Sequence, residues 1–398
     1  MARANSKDPE IQQRLNSVIT RIRWWDWVVW SGKSSVNTLT GQTNWTYKTL
    51  NDYWTVTSVV VGHDVIVLDA DGKIERLTLK DGNVIWKANA PETPESVKGT
   101  RALCATSQQC FTISATNIRA YNLTSGKEVW TATLNEDGCE YPTVLAAEDG
   151  LFVYDRKKCN YYELSNGKKR WDIGGGCFQA SQLAGGDILI LSDKGLSRLR
   201  PSDGKVLWTV RPVDSPDRMS LMVANPYVII GGWTPELGHI EVFDQDSGSK
   251  LFGTVGCLAA AAVGSAHTLF LAKGNGFFQG GDLLALNPVG WNAEWSCKYE
   301  MDGIDLLIED SRLFLCEYDS MACDVGLKCL KLNGEIAWKA KPTGISVSHS
   351  EYEQRSHLLR QNGNVVLVSN QSSGEFIETF NAQSGESVTK WHCYFNGK

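Results

Sequence analysis

The sequence predicts an all-β chain folded as a single β-propeller of four-stranded antiparallel blades, with nine repeat units and eight blades as the alternative. Three observations carry this reading. A glycine-to-tryptophan element recurs along the 398 residues at an average spacing near 43. Short runs of Val, Ile, Leu and Phe, of strand length, lie upstream of these elements. Asp-Gly, Asn-Gly and Ser-Gly turn signals sit between the runs. A period in the low forties with β-type units means propeller blades, not a helical or leucine-rich solenoid. Composition agrees, because 15 Trp alongside 37 Gly and only 11 Pro call for a repeated apolar slot that also offers the indole N–H a partner.

The copies can be taken in chain order. SVNTLTGQTNW ends at Trp45, RLTLKDGNVIW at Trp86, AYNLTSGKEVW at Trp130, YYELSNGKKRW at Trp171 and RLRPSDGKVLW at Trp208. In these five, Gly41, Gly82, Gly126, Gly167 and Gly204 stand four residues before the Trp. Weaker copies follow: VFDQDSGSKLF, where Gly248 precedes Phe252 in place of Trp, then ALNPVGWNAEW to Trp295, KLNGEIAW to Trp338 and FNAQSGESVTKW to Trp391. The apolar runs begin at Val65, Leu151, Ile188, Tyr227, Leu269, Leu313 and Val365. The second unit displays the whole pattern: VTSVVVG, HDVIVLDA, a turn at Asp71-Gly72, KIERLTLK, a turn at Asp81-Gly82, and NVIWKA. The recurrent glycine is therefore the turn between the last two strands of a blade. The aromatic after it lies on the outermost strand, where it docks between neighbouring blades. A row of exposed ligand platforms would instead require all the rings to share one open face.

The propeller is expected over residues 17–398, with residues 1–16 as an N-terminal extension. Ser17–Arg23 as an innermost strand completes nine units. A competing reading makes residues 8–22 an amphipathic helix, with Asp8 as N-cap, Pro9 at the first helical position, and Ile11, Leu15, Val18, Ile19 and Ile22 on one face. That reading leaves the first blade one strand short and favours eight.

The formal charge of −6 argues against general binding of a phosphate backbone. No apolar run reaches the roughly 18 residues that a transmembrane helix needs. The first residues, MARANSKDPEIQQR, lack the apolar core of a secretory signal. A cytoplasmic chain is expected, or a periplasmic or lumenal one where the sequence is part of a processed precursor. The 11 Cys are scattered, with no Cys-x-x-Cys pair, so they read mostly as small buried hydrophobes.

The pattern Ala-x-Asp/Asn-x-x-Thr/Ser-Gly-x-x-x-Trp resembles the tryptophan-docking motif of the pyrroloquinoline-quinone-like repeat superfamily, in its non-enzymatic branch. Ala120, Asn122, Ser125, Gly126 and Trp130 match it position by position. Asn37, Thr40, Gly41 and Trp45 match in the first unit, and Asp244, Ser247 and Gly248 in the sixth. The superfamily spans quinone-dependent alcohol dehydrogenases, a bacterial outer-membrane assembly lipoprotein and eukaryotic protein-binding propellers. Its dehydrogenases are known for adjacent half-cystines on the quinone, and this sequence has no Cys-Cys dipeptide. The resemblance thus implies a fold, no quinone or other cofactor, and partners that are other proteins.

Local chemistry is sparse. The six His form no metal-binding pattern. Asp69-Ala70-Asp71-Gly72 lacks the remaining ligands of a calcium loop and reads as a hairpin turn. The glycine pairs and triplets at 174–176, 185–186, 231–232 and 280–281 lack phosphate-loop spacing and read as strand ends and blade-to-blade turns. No catalytic residue is nominated, although propeller enzymes gather theirs from several blades at the central channel and leave no local signature. Three irregular stretches, residues 91–101, 211–220 and 344–357, are candidate binding loops or plain solvated ones. Trp24, Trp25, Trp27 and Trp30 cannot all face one side of a strand, so they divide between ring closure and a partner surface. Tyr352 is the large aromatic of the last stretch and belongs to the same candidate surface.

Overall fold

The computed structural model describes residues 28–30, 34–48, 57–69, 72–89, 102–114, 116–134, 142–147, 149–232, 238–276, 279–301, 303–318, 325–342, 355–371 and 374–394. Nine antiparallel sheets follow one another along the chain as the blades of a nine-bladed propeller. Blade 1 spans Val28–Thr46 and has three strands among the described residues. Blades 2 to 9 each have four: Thr57–Asn89, Ala102–Thr133, Thr143–Gly174, Cys177–Val210, Met219–Val255, Cys257–Tyr299, Gly303–Ala340 and Arg355–Tyr394. Strand order within each sheet follows chain order, so every blade is an up-and-down meander running from the channel to the rim. The candidate strand or helix at residues 8–23 lies outside the described residues.

Blade 3 illustrates why the sequence folds this way. Its strands are Ala102–Ala105, Gln109–Ile113, Asn117–Asn122 and Glu128–Thr133. The second strand is apolar throughout most of its length and buried on both faces, as are Asp64–Leu68 in blade 2 and Ile188–Ser192 in blade 5. A strand sandwiched between two neighbouring sheets has no solvent side, which explains why these runs do not alternate. The outer strand does alternate, because one side of it forms the rim.

Apolar packing is organised by seam. Among the described residues nine buried clusters occur, one at each junction between adjacent blades. They run from Tyr47, Val65, Val67, Leu77 and Leu79 between blades 1 and 2 to Val29, Val36, Val366, Val368, Ile377 and Trp391 between blades 1 and 9. The last of these closes the ring. The closure joins the first and last blades face to face, with no strand shared between them among the described residues.

Each pairing of a third strand with an outer strand carries a β-bulge at the same place, for example between Ala120 and Tyr121 or between Arg198 and Leu199. A bulge bends the strand and re-aims the residue beside it. The residue facing the pre-bulge position is Trp130 opposite Ala120, Trp86 opposite Arg76, and Phe252 opposite Val242. The bulge thus sets the docking register.

Candidate functional site

The propeller offers four places for function: the seams, the channel, and its two faces. At seven seams the docking geometry repeats. The indoles of Trp45, Trp86, Trp130, Trp171, Trp208, Trp295 and Trp338 lie over Gly82, Gly126, Gly167, Gly204, Gly248, Gly334 and Gly385 of the next blade, where an added Cβ would fall within 2.7 Å of the ring. Those glycines have φ between 68° and 86°, a conformation that costs other residues about 1–2 kcal/mol. Each indole N–H donates to a carbonyl on the same turn, at 2.7–3.2 Å: Leu79, Leu123, Leu164, Pro201, Gln245, Leu332 and Ala382.

Four of those carbonyls accept a second donor that the sequence pattern did not reveal: Leu79 O accepts from the Ser35 hydroxyl, and the other three accept from arginines. Arg76 Nη1 reaches Leu123 O at 2.6 Å, Arg198 Nη1 reaches Gln245 O at 2.7 Å and Arg312 Nη1 reaches Ala382 O at 3.3 Å. A carbonyl has two lone pairs, so indole and guanidinium satisfy it together. Arg76 and Arg198 are also held by Asp64 and Asp187, which fixes the fork.

Two seams depart from the rule and correct the sequence-based assignment. Between blades 6 and 7 the position of the turn glycine is filled by Trp291. Its backbone N–H donates to Asn287 O at 3.0 Å, as Gly126 N donates to Asn122 O at 2.9 Å, and its φ is 57°. Gly290, one residue earlier, lies away from any ring. Phe252 occupies the docking position but stacks on Trp291 at 6.1 Å between centroids, and Tyr227 meets that indole edge-on at 5.2 Å. The indole of this seam therefore comes from the turn, and the smaller Phe252 leaves room for it.

Between blades 9 and 1 the docking register falls on Thr389, which pairs with the pre-bulge residue Thr379. Trp391 stands two residues beyond. Thr389 Oγ1 donates to Thr38 O at 2.6 Å, the carbonyl three residues before Gly41 and so the counterpart of the indole acceptors elsewhere. Gly41 faces the Thr389 Cβ and the Lys390 carbonyl, not an indole. Trp391 is buried in the closing cluster and donates to Thr43 Oγ1 at 2.5 Å.

The buried acids serve the seams as well. Glu75 accepts from Tyr47 OH at 2.8 Å, just past the outer strand of blade 1, and is flanked by Lys73 and Lys87 at 2.8 and 2.9 Å. Burial opposes its charge, but hydrogen bonds from Lys73, Lys87 and Tyr47 outweigh that and hold its carboxyl below the usual carboxylate range. Burial and the Glu75 carboxylate together push the Tyr47 hydroxyl up. Glu241 accepts Val213 N at 2.9 Å and Lys250 at 2.5 Å; Glu317 accepts Glu300 N at 3.2 Å and pairs with Lys328. In each case a buried carboxylate grips the chain as it leaves the preceding blade. The half-buried Asp305 instead joins the inner strands of blades 8 and 9, accepting Leu358 N at 2.7 Å. Gln179 bridges blades 5 and 6 through Leu221 N and Met219 O.

At the channel, the inner-strand ends of blades 3, 4 and 5 form a bowl of about 540 Å³ lined by Ala105, Thr106, Ala146, Ala147, Gln182, Leu183, Ala184 and Gly186. Small side chains and backbone dominate it. Among the described residues, no three His, Cys, Asp or Glu side chains converge as metal ligands, and no helix is long and apolar enough to cross a membrane.

The two faces differ. The first-to-second strand turns have two to five residues and the docking turns four to six, and both lie on one face. Connections between blades leave from the other face, and the five longest are residues 47–56, 90–101, 134–142, 211–218 and 341–354. The stretch 211–220 straps blade 6: Asp214 accepts His239 N at 2.6 Å and meets its ring Nδ1 at 3.0 Å, and Met219 and Ser220 already belong to the inner strand. Trp24, Trp25, Trp27 and Tyr352 lie outside the described residues, and Trp30 ends the strand Val28–Trp30 of blade 1.

These features define a pyrroloquinoline-quinone-like propeller, with blades joined by aromatic docking on turn glycines. The family model described as outer membrane protein assembly factor BamB matches residues 27–109 and 114–256, more than half of the chain, and the chain belongs to that family. Compared by sequence with curated proteins, the chain matches none. Among solved structures it is similar to BamB from Moraxella catarrhalis, with 14% identity over 79% of this chain and 93% of that one, at a TM-score of 0.53. It is also similar to the computationally designed protein Ika8, with 11% identity over 86% and 98% and a TM-score of 0.54. A third likeness is to the quinohemoprotein alcohol dehydrogenase of Comamonas testosteroni, with 14% identity over 86% and 74% and a TM-score of 0.52. At these identities the likeness is one of fold.

Proposed function

We propose that this protein is a non-catalytic scaffold that binds other proteins, engaging them through the face that carries the long connections. The observation that carries this reading is the use to which the polar residues are put. The buried carboxylates of Glu75, Glu241 and Glu317 are each occupied by a lysine of their own blade and by a hydroxyl or backbone N–H across a seam, and the half-buried Asp305 by Leu358 N, while the channel bowl is lined by alanine, glycine, leucine, threonine and glutamine. An enzyme would be expected to direct perturbed acids or bases into such a concavity. Variable loops on a rigid scaffold are the usual place for recognition, and the name of the family, an assembly factor, accords with a protein-binding role.

The test is affinity capture from the native cell with two baits: the full chain, and a variant in which residues 341–354 and 90–101 are replaced by short Gly-Ser turns. The full chain is expected to retain defined partners that the variant loses at unchanged thermal stability. Equal capture by both baits would remove the long-connection face from the reading. Copurification of a quinone or metal with turnover of an alcohol would establish the alternative, an enzyme with its site in the central channel.

A further inference from the structure

Two cysteines from different blades meet at the seam between blades 4 and 5. Cys159 lies on the third strand of blade 4, Lys158–Glu163, and Cys177 opens the inner strand of blade 5, Cys177–Gln182. Both are 1% exposed and share one apolar cluster with Phe152, Tyr154 and Ile190. Gly174 ends the outer strand of blade 4 and Gly175-Gly176 alone connect it to blade 5, and this explains how the cysteines come together. Gly175 has φ 101°, and a Cβ on Gly176 would overlap the Arg156 carbonyl. Cys177 N donates to Asp155 O at 2.8 Å. The glycines thus let the connection drop onto the turn that precedes Cys159. Cys159, opposite Tyr154 in the sheet, donates its thiol to Gly175 O at 3.7 Å, two residues before Cys177, whose own thiol donates to Gln179 O at 2.9 Å. Cys104 and Cys110, by contrast, sit on paired strands inside blade 3.

We propose that Cys159 and Cys177 form an oxidisable dithiol that closes to a disulfide, stapling blade 4 to blade 5. The oxidant is a low-molecular-weight disulfide of the glutathione class. The thiolate of one cysteine attacks it, breaking its S–S bond and releasing one reduced thiol. The second cysteine, as thiolate, then displaces the other half. One S–S bond forms in the protein, one is lost from the oxidant, and the two protons and two electrons leave with two thiols. Buried thiols exchange slowly, so the bond is made while the seam is still open during folding and is sheltered afterwards. The redox state of the compartment in which the chain folds is thereby recorded in the seam.

The test is refolding of the reduced, unfolded full chain in a buffer of oxidised and reduced glutathione, or in excess dithiothreitol. Alkylation, non-reducing digestion and mass spectrometry then map the thiols. The expected result is a linked peptide pair joining Cys159 to Cys177, two hydrogens lighter than the dithiol. A rise in Tm on the order of a few degrees should accompany it, absent in Cys159→Ser and Cys177→Ser. Separate alkylation of both thiols in natively refolded, glutathione-treated protein would overturn the proposal, as would pairing of either with another cysteine. The wild-type map decides the matter even where a serine variant does not fold.

Discussion

The seam between blades 2 and 3 and the seam between blades 6 and 7 solve one packing problem from opposite sides. In the first, Trp86 reaches from an outer strand onto Gly126, and Leu123 O accepts from both Trp86 and Arg76. In the second, the ring rises from the turn itself as Trp291, in a left-handed conformation, and meets Phe252. The difference teaches that the repeat specifies a filled volume between blades, not a residue at a position. A Cβ on the turn and a full indole on the strand exclude each other, so where the turn residue is large the strand residue must shrink. The closing seam makes the same point with polarity, since the Thr389 hydroxyl takes the carbonyl that an indole takes elsewhere.

The largest effect is expected at a regular seam. Trp86→Ala should lower the free energy of unfolding by about 3–5 kcal/mol, read from the denaturant midpoint. It empties the seam and leaves Leu123 O to Arg76 alone. Gly126→Ala should cost about 2–4 kcal/mol, combining a left-handed backbone with overpacking against the ring. Here Trp86→Phe in the same chain should recover part of the loss, whereas equal losses in the single and double variants would break the comparison. Arg76→Met should cost about 1–2 kcal/mol through one lost donor and an unpaired Asp64. At the closing seam, Thr389→Val should cost about 1 kcal/mol, measurable by the same titration.

The carboxylate latches add a dependence on pH. The Glu75 carboxyl titrates below its ordinary 4.5 in the folded protein. Its contribution is therefore complete above about pH 4.5 and fades as the pH falls through the depressed folded value. Between pH 6 and pH 3 the wild type should lose stability more steeply than Glu75→Gln. Parallel curves would show that the latch carries no net stabilisation.

The repeat and the nine units were legible because seven of the aromatics recur near Gly in a regular register, and the buried second strands were legible as unbroken apolar runs. The irregular seams were hidden for a physical reason. Gly290 stands one residue before Trp291 and imitates the motif, while only the hydrogen bond to Asn287 O reveals which residue occupies the turn. Trp391 likewise imitates the motif, while the bulge after Thr379 places Thr389 in the docking register. The arginine donors and carboxylate latches join residues dozens of positions apart, such as Arg76 and Leu123 or Asp305 and Leu358. Such contacts follow from the curvature of the ring and have no local pattern.

A double-mutant cycle at Phe252 and Trp291 tests the complementarity of the seam most directly. Phe252→Trp and Trp291→Gly should each destabilise the protein, the first by crowding and the second by emptying the space. Together they rebuild the regular arrangement and should recover stability, with a favourable coupling of about 1–3 kcal/mol. Losses that simply add in the double variant would contradict the claim that the two residues share one docking volume.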